Sequence, residues 1–586
     1  MNAELTAQEP SAKYLVNLQP PLVRHFDLIA QAPGGVARLR ELILTLAVQG
    51  KLVPQDPNDE PASELLKKIR AEKDRLIAEG KIKQDKPLAE IADEEKPFEL
   101  PQGWEWVRLG TLLDRISNGY SGGQSKSPTN FPLTRIETIS KSTVDFSRVG
   151  YCTDIQEPDI QKYRLEVGDI LLSHINSDLH LGKTALYTED RLLIHGTNLL
   201  LLRSSAHVDS GYINLLINQL RLTGFFLTIA QHAIGQASIN QSKITSILGA
   251  LPPLAEQSRI VTRVEELMQL CDALEASGQL EAQQHAQLVN TLLGTLTQSV
   301  TPEALANNWQ RIATHFDLLL DRPSSLDALE QTILQLAVRG LLVPQDPTDE
   351  PASSLLQKIR TEKDHLIAQG KIKRDKPLPP ITDEEKPFEL PQGWEWFAID
   401  ALASVGTGTT PSRDNAAFFD GGVIPWVTSG ETGQPFIRLT EQHVTDAALA
   451  QTSLTIYPIG TLVVAMYGQG KTRGQISELC IPATTNQACA AIVLVDPSMA
   501  HKNYVKLVFE KSYDEIRELS AGGAQPNLNV GKVKATLIPL PPLGEQSRIV
   551  TRVNELRNLC VVLRSSLIAT QNVEVKLSSS LLNLNV

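Results

Sequence analysis

Several groupings in this sequence have the residue types of a working site, and each fails on spacing or setting. The run Gly468–Thr472, GQGKT, imitates a phosphate-cradling loop, but the GxxxxGK[ST] pattern needs glycine where Ala465 stands. GTGTTP at Gly406–Pro411 lacks the third glycine of a dinucleotide fingerprint, and no HExxH is present. A nuclease-like trio, Asp85 with Glu94-x-Lys96, returns as Asp375 with Glu384-x-Lys386, yet both copies lie in polar linker sequence with no strand to aim them. The Asn/Asp-Pro-Pro-aromatic motif of an amino-methyltransferase is absent. The five cysteines, Cys152, Cys271, Cys480, Cys489 and Cys560, are odd in number and lack CxxC spacing, so they indicate neither a disulfide framework nor a zinc site and are read as reduced thiols. The expectation is a chain with no catalytic residue, no metal site and no cofactor of its own.

A different chemistry fits the polar loops. Amides, hydroxyls and isolated cations can read base edges, and glycine-rich loops let the backbone come close. One group of such residues lies between residues 107 and 250: Tyr120, Gln124 and Lys126 in NGYSGGQSKS, Lys183 in HLGKT, Asn198, and Gln236, Ser238, Asn240 and Lys243 in QASINQSKI. A second lies between 397 and 539: Thr410 and Arg413 in GTTPSRDN, Tyr467, Gln469, Lys471 and Arg473 in YGQGKTRG, Asn486, and Gln525, Asn527, Asn529 and Lys532 in QPNLNVGKV. Each residue alone reads equally well as a solvated loop side chain; the clustering is what points to nucleic acid.

These segments sit in a frame that is written twice. Leu46–Trp106 returns at Leu336–Trp396 with about four positions in five identical, and a weaker match reaches back to His25-Phe26-Asp27 and His315-Phe316-Asp317. LPPLAEQSRIVTRVEEL from Leu251 returns as LPPLGEQSRIVTRVNEL from Leu540. The two inserts share little sequence but align in outline: GDILLS with GTLVVA, Thr197-Asn198 with Thr485-Asn486, QASINQSKI with QPNLNVGKV. Their short β-type runs between glycines predict one mixed fold carrying different tips. A duplicated frame around divergent inserts suits a protein that presents two recognition surfaces in one fixed geometry.

The frame reads as helical. After Pro252-Pro253, Glu256 favours the positive end of a helix, and Ile260, Val264, Leu267, Cys271 and Leu274 follow at heptad spacing. The second copy keeps the stripe as Ile549, Val553, Leu556, Cys560 and Leu563. The expected mate of each stripe is the other copy, in an antiparallel coiled coil; the alternative is that each packs on its own domain. Amphipathic helices are predicted from Ala62 to Glu79 and Ala352 to Gln369, with a serine near each start and αL terminators at Gly80 and Gly370. FELPQGWEW is expected to seal the start of each insert. The predicted class is α+β, divided into a helical region at 1–100, a recognition domain at 101–250, a central helical region at 251–390, a second recognition domain at 391–539 and a closing helix at 540–586.

LPPLAEQSRIV and LPPLGEQSRIV, with LVPQDPNDEPAS, LPQGWEW and MYGQGKT, resemble the specificity subunits of type I restriction-modification systems. The resemblance implies two target-recognition domains, each reading half of an interrupted sequence in double-stranded DNA, held apart by paired helices. It also implies docking of modification (methylase) subunits, expected as a pair, and of motor-nuclease restriction subunits, with S-adenosylmethionine, ATP and magnesium belonging to those partners. Many members open directly on the first recognition domain. Here about 100 frame residues precede it, and they are expected to dock where the second long helix ends. The rival readings are the recognition subunit of a fused methylase-nuclease system and a coiled-coil scaffold with no role on DNA.

Composition agrees with a multidomain soluble protein: 586 residues, 42% hydrophobic and 21% charged. The start lacks a secretory pattern and no apolar run is long enough to span a membrane, so a cytoplasmic location is expected. A net charge of −12 argues against coating nucleic acid by bulk attraction. The acid is unevenly placed, however. Residues 107–250 hold 13 Lys and Arg against 12 Asp and Glu, and 397–540 hold 10 against 12, so most of the negative charge lies in the frame.

Overall fold

The computed structural model describes residues 29–30, 32–84, 87–233, 236–299, 301–374, 378–468, 472–513, 515 and 528–583. The chain divides into two compact units, residues 1–280 with 571–586, and residues 281–570. The mixed α+β class expected from the sequence holds in both.

Unit 1 opens with helix α1 (Gly35–Val48) and helix α2 (Ala62–Ala78). Both end on glycines with positive φ, Gly50 at 68° and Gly80 at 71°, as the αL terminators require. The start of α2 departs from expectation. Pro61 occupies the cap position, and the Ala62 amide donates to the Gly103 carbonyl (2.8 Å), so the LPQGW turn rather than a serine satisfies this helix end. That turn leads into strand β1 (Glu105–Arg108), which pairs antiparallel with β6 (Leu248–Leu251), Glu105 opposite Leu251. The first insert therefore opens and closes on one two-stranded neck.

Beyond the neck lies an antiparallel sheet of β2 (Leu113–Asn118), β5 (Leu200–Ser204), β3 (Ile170–Leu172) and β4 (Thr184–Leu186), in that spatial order. GDILLS supplies β3, whose three residues are all at most 1% exposed. A continuous apolar run of this kind suits a strand covered on both faces. Helix α3 (Ser210–Leu222) shares a core with the sheet through Ile213, Leu216 and Ile217.

Unit 2 repeats the plan. After α5 (Pro302–Thr314), α6 (Pro323–Val338) and α7 (Ala352–Ala368), strand β7 (Glu395–Ala398) pairs with β13 (Leu537–Leu540) in the same register, Glu395 opposite Leu540. The sheet runs β8 (Ala403–Thr407), β12 (Cys489–Leu494), β10 (Leu462–Ala465), β11 (Ile476–Leu479) and a short parallel edge strand β9 (Phe436–Ile437), and helix α8 (Met499–Lys511) shares a core with it. GTLVVA forms β10 beside β12, just as GDILLS forms β3 beside β5, so the outline alignment of the two inserts is a structural one.

Each insert is followed by a long helix, α4 (Leu254–Thr297) and α9 (Leu543–Asn583). The heptad stripe is buried: Ile260, Val264, Leu267 and Cys271 are at most 1% exposed, Ile549 and Val553 0%, Cys560 2%, with Leu274, Leu556 and Leu563 partly buried. Its covering differs from expectation. In unit 1 the stripe of α4 shares its core with Leu39, Leu42, Ile43 and Leu46 of α1, so the first half packs on its own module. In unit 2 the stripe of α9 shares a core with Leu329, Ile333 and Leu336 of α6, and that core also takes in Val289, Leu293 and Leu296 from the far half of α4. There the two long helices meet, as a coiled coil requires. The end of α9 reaches α1: the Arg38 guanidinium donates to the Val575 carbonyl (3.2 Å) and the Ser579 hydroxyl, which agrees with docking of the N-terminal frame where the second long helix ends.

Candidate nucleic-acid interface

The register of the sheets decides where the loops go. In unit 1, Asn118 lies opposite Leu200, which also faces Leu172, itself paired with Thr184. The loops after β2 and β3 and the loop before β5 therefore leave one end of the sheet. In unit 2, Thr407 opposes Ala490 and Ala465 opposes Cys489, so the chain leaves the corresponding end at 408 and at 466, and the turn at 486–488 lies there too. In both units the neck attaches at the other end: the Leu109 amide donates to the Ile247 carbonyl (2.8 Å) and the Ile399 amide to the Thr536 carbonyl (2.9 Å), just before β2 and β8 begin.

At the loop end of unit 2, the Thr409 amide bonds the Thr485 carbonyl (3.1 Å) and the Trp426 indole donates to the Thr409 carbonyl (3.2 Å), which seats the loop carrying Thr410 and Arg413. Arg413 is exposed and donates to the Gln442 side chain (3.2 Å). Tyr467 is 38% exposed, and Arg473 is half-buried. Asn486 is also half-buried, and its side chain accepts from the Ala488 amide (3.0 Å), a turn-closing role. Gln469, Lys471, Gln525 and Asn527 lie outside the described residues.

At the loop end of unit 1, Gln124 and Lys126 are exposed on and beside the short strand Gln124–Ser125, which pairs with Gly150–Cys152, and Asn198 is exposed nearby on the turn whose Thr197 amide bonds the Tyr120 carbonyl (3.2 Å). Tyr120 itself is a correction. Its ring is 8% exposed and edge-on to Tyr163 (5.8 Å between centroids), packed with Leu133 and Ile194. The ring fills a small core because Gly122 leaves room for it: a Cβ there would stand 2.2 Å from the Tyr120 hydroxyl.

The segment Gln236–Ser238 forms a small sheet with Gln231–Ala233 and Ile175–Asn176, and Ser238, half-buried, lies opposite Ile175. The side chain of Gln236 lies outside the described residues. Sequence reasoning missed the neighbours on this sheet, exposed Gln231 and His232, and Leu179, 78% exposed on the adjoining loop.

Four further residues have structural partners. Asn240 and Asn529 are helix caps, accepting from the Lys243 and Lys532 amides (both 2.9 Å), and Lys532 is an exposed residue. The Lys183 ammonium donates to the Ser140 carbonyl (2.5 Å), and burial holds its pKa below the usual lysine range. The Lys243 ammonium donates to the Ile229 carbonyl.

The frame side has its own buried polar centre, which the sequence did not announce. In unit 1 the Trp104 indole donates to the Glu256 carboxylate (3.0 Å) and the Gln55 amide to its other oxygen (3.1 Å). In unit 2 Trp394 and Gln345 do the same to Glu545, at 2.9 and 3.3 Å. Both carboxyls are 1% exposed, and burial pushes their pKa values up. These bonds tie the LPQGW turn to the first turn of each long helix, and so fix the neck to the frame.

The remaining titratable groups speak of burial rather than reactivity. Desolvation raises the thiols of Cys152 and Cys271 to about 11 and Cys489 to about 12, and lowers His195 to about 4. Among the described residues no group of three His, Cys, Asp or Glu side chains could hold a metal ion. Asp85 and Asp375 of the nuclease-like trios lie outside the described residues, and Lys96 and Lys386 each pair with a neighbouring aspartate (2.5 Å) in an exposed turn. No described helix is long and apolar enough to cross a membrane.

Comparison with known proteins adds three findings. The sequence pattern of the type I restriction modification DNA specificity domain matches residues 101–283 and again 391–570. The chain is 37% identical over 583 residues to the type I restriction enzyme EcoAI specificity subunit of Escherichia coli, and 34% identical over 565 residues to the EcoEI specificity subunit of the same species; each match covers 93% of both chains. A solved structure from work on assembly and conformational transition of the type I R-M system aligns with a TM-score of 0.49 at 15% identity, covering 83% of this chain and 99% of that one.

Proposed function

As this chain belongs to the type I restriction-modification specificity subunits, we propose that the loop end of each recognition domain reads one half of an interrupted double-stranded DNA target. The observation that carries this reading is the contrast between the two ends of each insert. The neck end keeps one register in both units and is entered and left through the repeated segments LPQGWEW and LPPL, whereas the loop end differs in sequence and carries exposed polar side chains. Constancy at one end supports fixed mounting, and divergence at the other supports two different sequences being read.

In this reading Gln124, Lys126 and Asn198 of the first domain and Thr410, Arg413 and Tyr467 of the second face DNA, with the Gln231–Ser238 sheet as a further contact. Lys and Arg in each insert are matched by about as many Asp and Glu, so affinity comes from aimed contacts and from the assembled complex rather than from a basic surface. The frame helices carry the modification subunits, two of them, and the restriction subunits join that complex. Chemistry and its cofactors, S-adenosylmethionine, ATP and magnesium, reside in those partners, and the complex works in the cytoplasm.

The test is adenine-methylation mapping by long-read sequencing of DNA from cells that express this chain with its methylase partner. A two-part methylated motif is expected, and replacing residues 107–250 by another insert should change one half only. An assembled complex that adds no methylation, or a swap that changes both halves, would overturn the proposal.

A further inference from the structure

The duplicated frame creates a pairing problem. Residue for residue, the stripe Ile260, Val264, Leu267, Cys271, Leu274 of α4 equals Ile549, Val553, Leu556, Cys560, Leu563 of α9. The helices that cover them match at most core positions, with Leu39, Ile43, Leu46 and Ala47 of α1 against Leu329, Ile333, Leu336 and Ala337 of α6, and Leu42 against Thr332 as an uncharged exception. Polar contacts at the neck are also common to both modules: Arg259 pairs with Asp59 (2.5 Å) and Arg548 with Asp349 (2.6 Å). None of these contacts distinguishes α1 on α4 from α1 on α9, in one chain or between two copies of it.

One contact does. In unit 1 the cation sits on the short helix: Arg40 of α1 bonds Asp272 (2.6 Å) and Glu275 (3.1 Å) of α4. In unit 2 the polarity is reversed: Arg564 of α9 bonds Asp327 (2.7 Å) and Glu330 (3.2 Å) of α6. Arg40 and Glu330 occupy the same position of the repeat, as do Glu275 and Arg564. Exchanging partners would set Arg40 against Arg564 and Asp327 and Glu330 against Asp272 and Glu275.

We infer that this reversed ion pair is the device that keeps each short helix on its own long helix and prevents a second copy of the chain from exchanging modules with the first. The pairs are partly exposed, so their contribution to stability is small; their value lies in turning attraction into repulsion for the wrong partner. Exchange of identical elements between protomers is a low-cost route to dimers, which makes such a device necessary here.

The test uses two differently tagged full-length chains co-expressed in one cell, reading the fraction of one tag that co-purifies with the other. Arg40→Glu, Asp272→Val and Glu275→Arg together give unit 1 the residues of unit 2 at these positions while keeping an ion pair. This variant should raise co-purification at least about threefold over wild type, because the wrong partner is now as attractive as the right one. Adding Asp327→Ala, Glu330→Arg, Val561→Asp and Arg564→Glu moves the original residues into unit 2 and should return the fraction to the wild-type level. The seven-site variant keeps the test meaningful even where the three-site variant folds poorly. Equal co-purification by wild type and the three-site variant, or no return in the seven-site variant, overturns the inference.

Discussion

Replacing Trp104 by phenylalanine removes a hydrogen-bond donor together with part of a ring that is only 5% exposed, so the loss of the bond sets the least that the change should cost. The indole Nε1 stands 3.0 Å from a Glu256 oxygen that is otherwise out of contact with water, the residue being 1% exposed. Gln55 bonds the other oxygen. Removing the donor leaves a buried carboxyl oxygen without its partner, which should cost about 2 kcal/mol. The duplicated frame supplies an internal control, because Trp394 makes the same bond to Glu545 at 2.9 Å, again with 1% exposure. Trp394→Phe should therefore cost the same, and since the two sites lie in different units, the double variant should lose the sum to within about 0.5 kcal/mol. Urea unfolding of the four purified full-length chains, followed by far-ultraviolet circular dichroism, measures all three losses. A loss below about 0.5 kcal/mol at either site would refute the view that this bond clamps the neck.

Further expectations can be checked on the same material. Burial raises the Glu256 carboxyl above its ordinary 4.5, so its contribution to stability is fullest below that value and is lost as pH rises through the folded value. The stability difference between wild type and Glu256→Gln should accordingly be largest near pH 4 and shrink towards pH 7; a difference independent of pH would contradict this. Gly50→Ala should be much worse than Gly80→Ala, although both glycines have positive φ. A Cβ at Gly50 would stand 2.4 Å from the Pro101 ring, whereas Gly80 is open, so thermal denaturation should show only the roughly 1 kcal/mol backbone penalty at Gly80. Leu267→Ala, at a site 0% exposed, should cost about 3 kcal/mol, and Leu556→Ala, only partly buried, clearly less. Arg413→Ala should weaken methylation at targets varied in one half-site and leave the dependence on the other half unchanged, as read by methylation of a target library.

The repeat and the heptad stripe were legible because identity at fixed offset and helical period are properties of sequence alone. The matched centres of the inserts were legible too, since a buried strand must be apolar throughout, as Ile170, Leu171 and Leu172 are. What covers a stripe was not legible. Period names a face but no partner, and both α1 and α4 offered apolar faces to choose from. Among the loop residues, side chains with a single polar group were the least predictable. Tyr120 turned inwards because Gly122 leaves room for the ring, and Lys183 and Lys243 found carbonyls at Ser140 and Ile229, far along the chain. Asn240 and Asn529 could have been recognised, because asparagine is among the favoured residues immediately before the first turn of a helix, where its side chain accepts from a backbone amide.

The neck has a consequence for how these units tolerate change. Because Glu105 faces Leu251 and Glu395 faces Leu540, the two ends of each insert leave the frame side by side. The chain closes on itself at the mount before any reading loop begins. A residue gained or lost among the loops is absorbed within a closed circuit, and the long helix that follows starts from the same place. Whatever such a unit comes to read, its mount is built from residues that never take part in the reading.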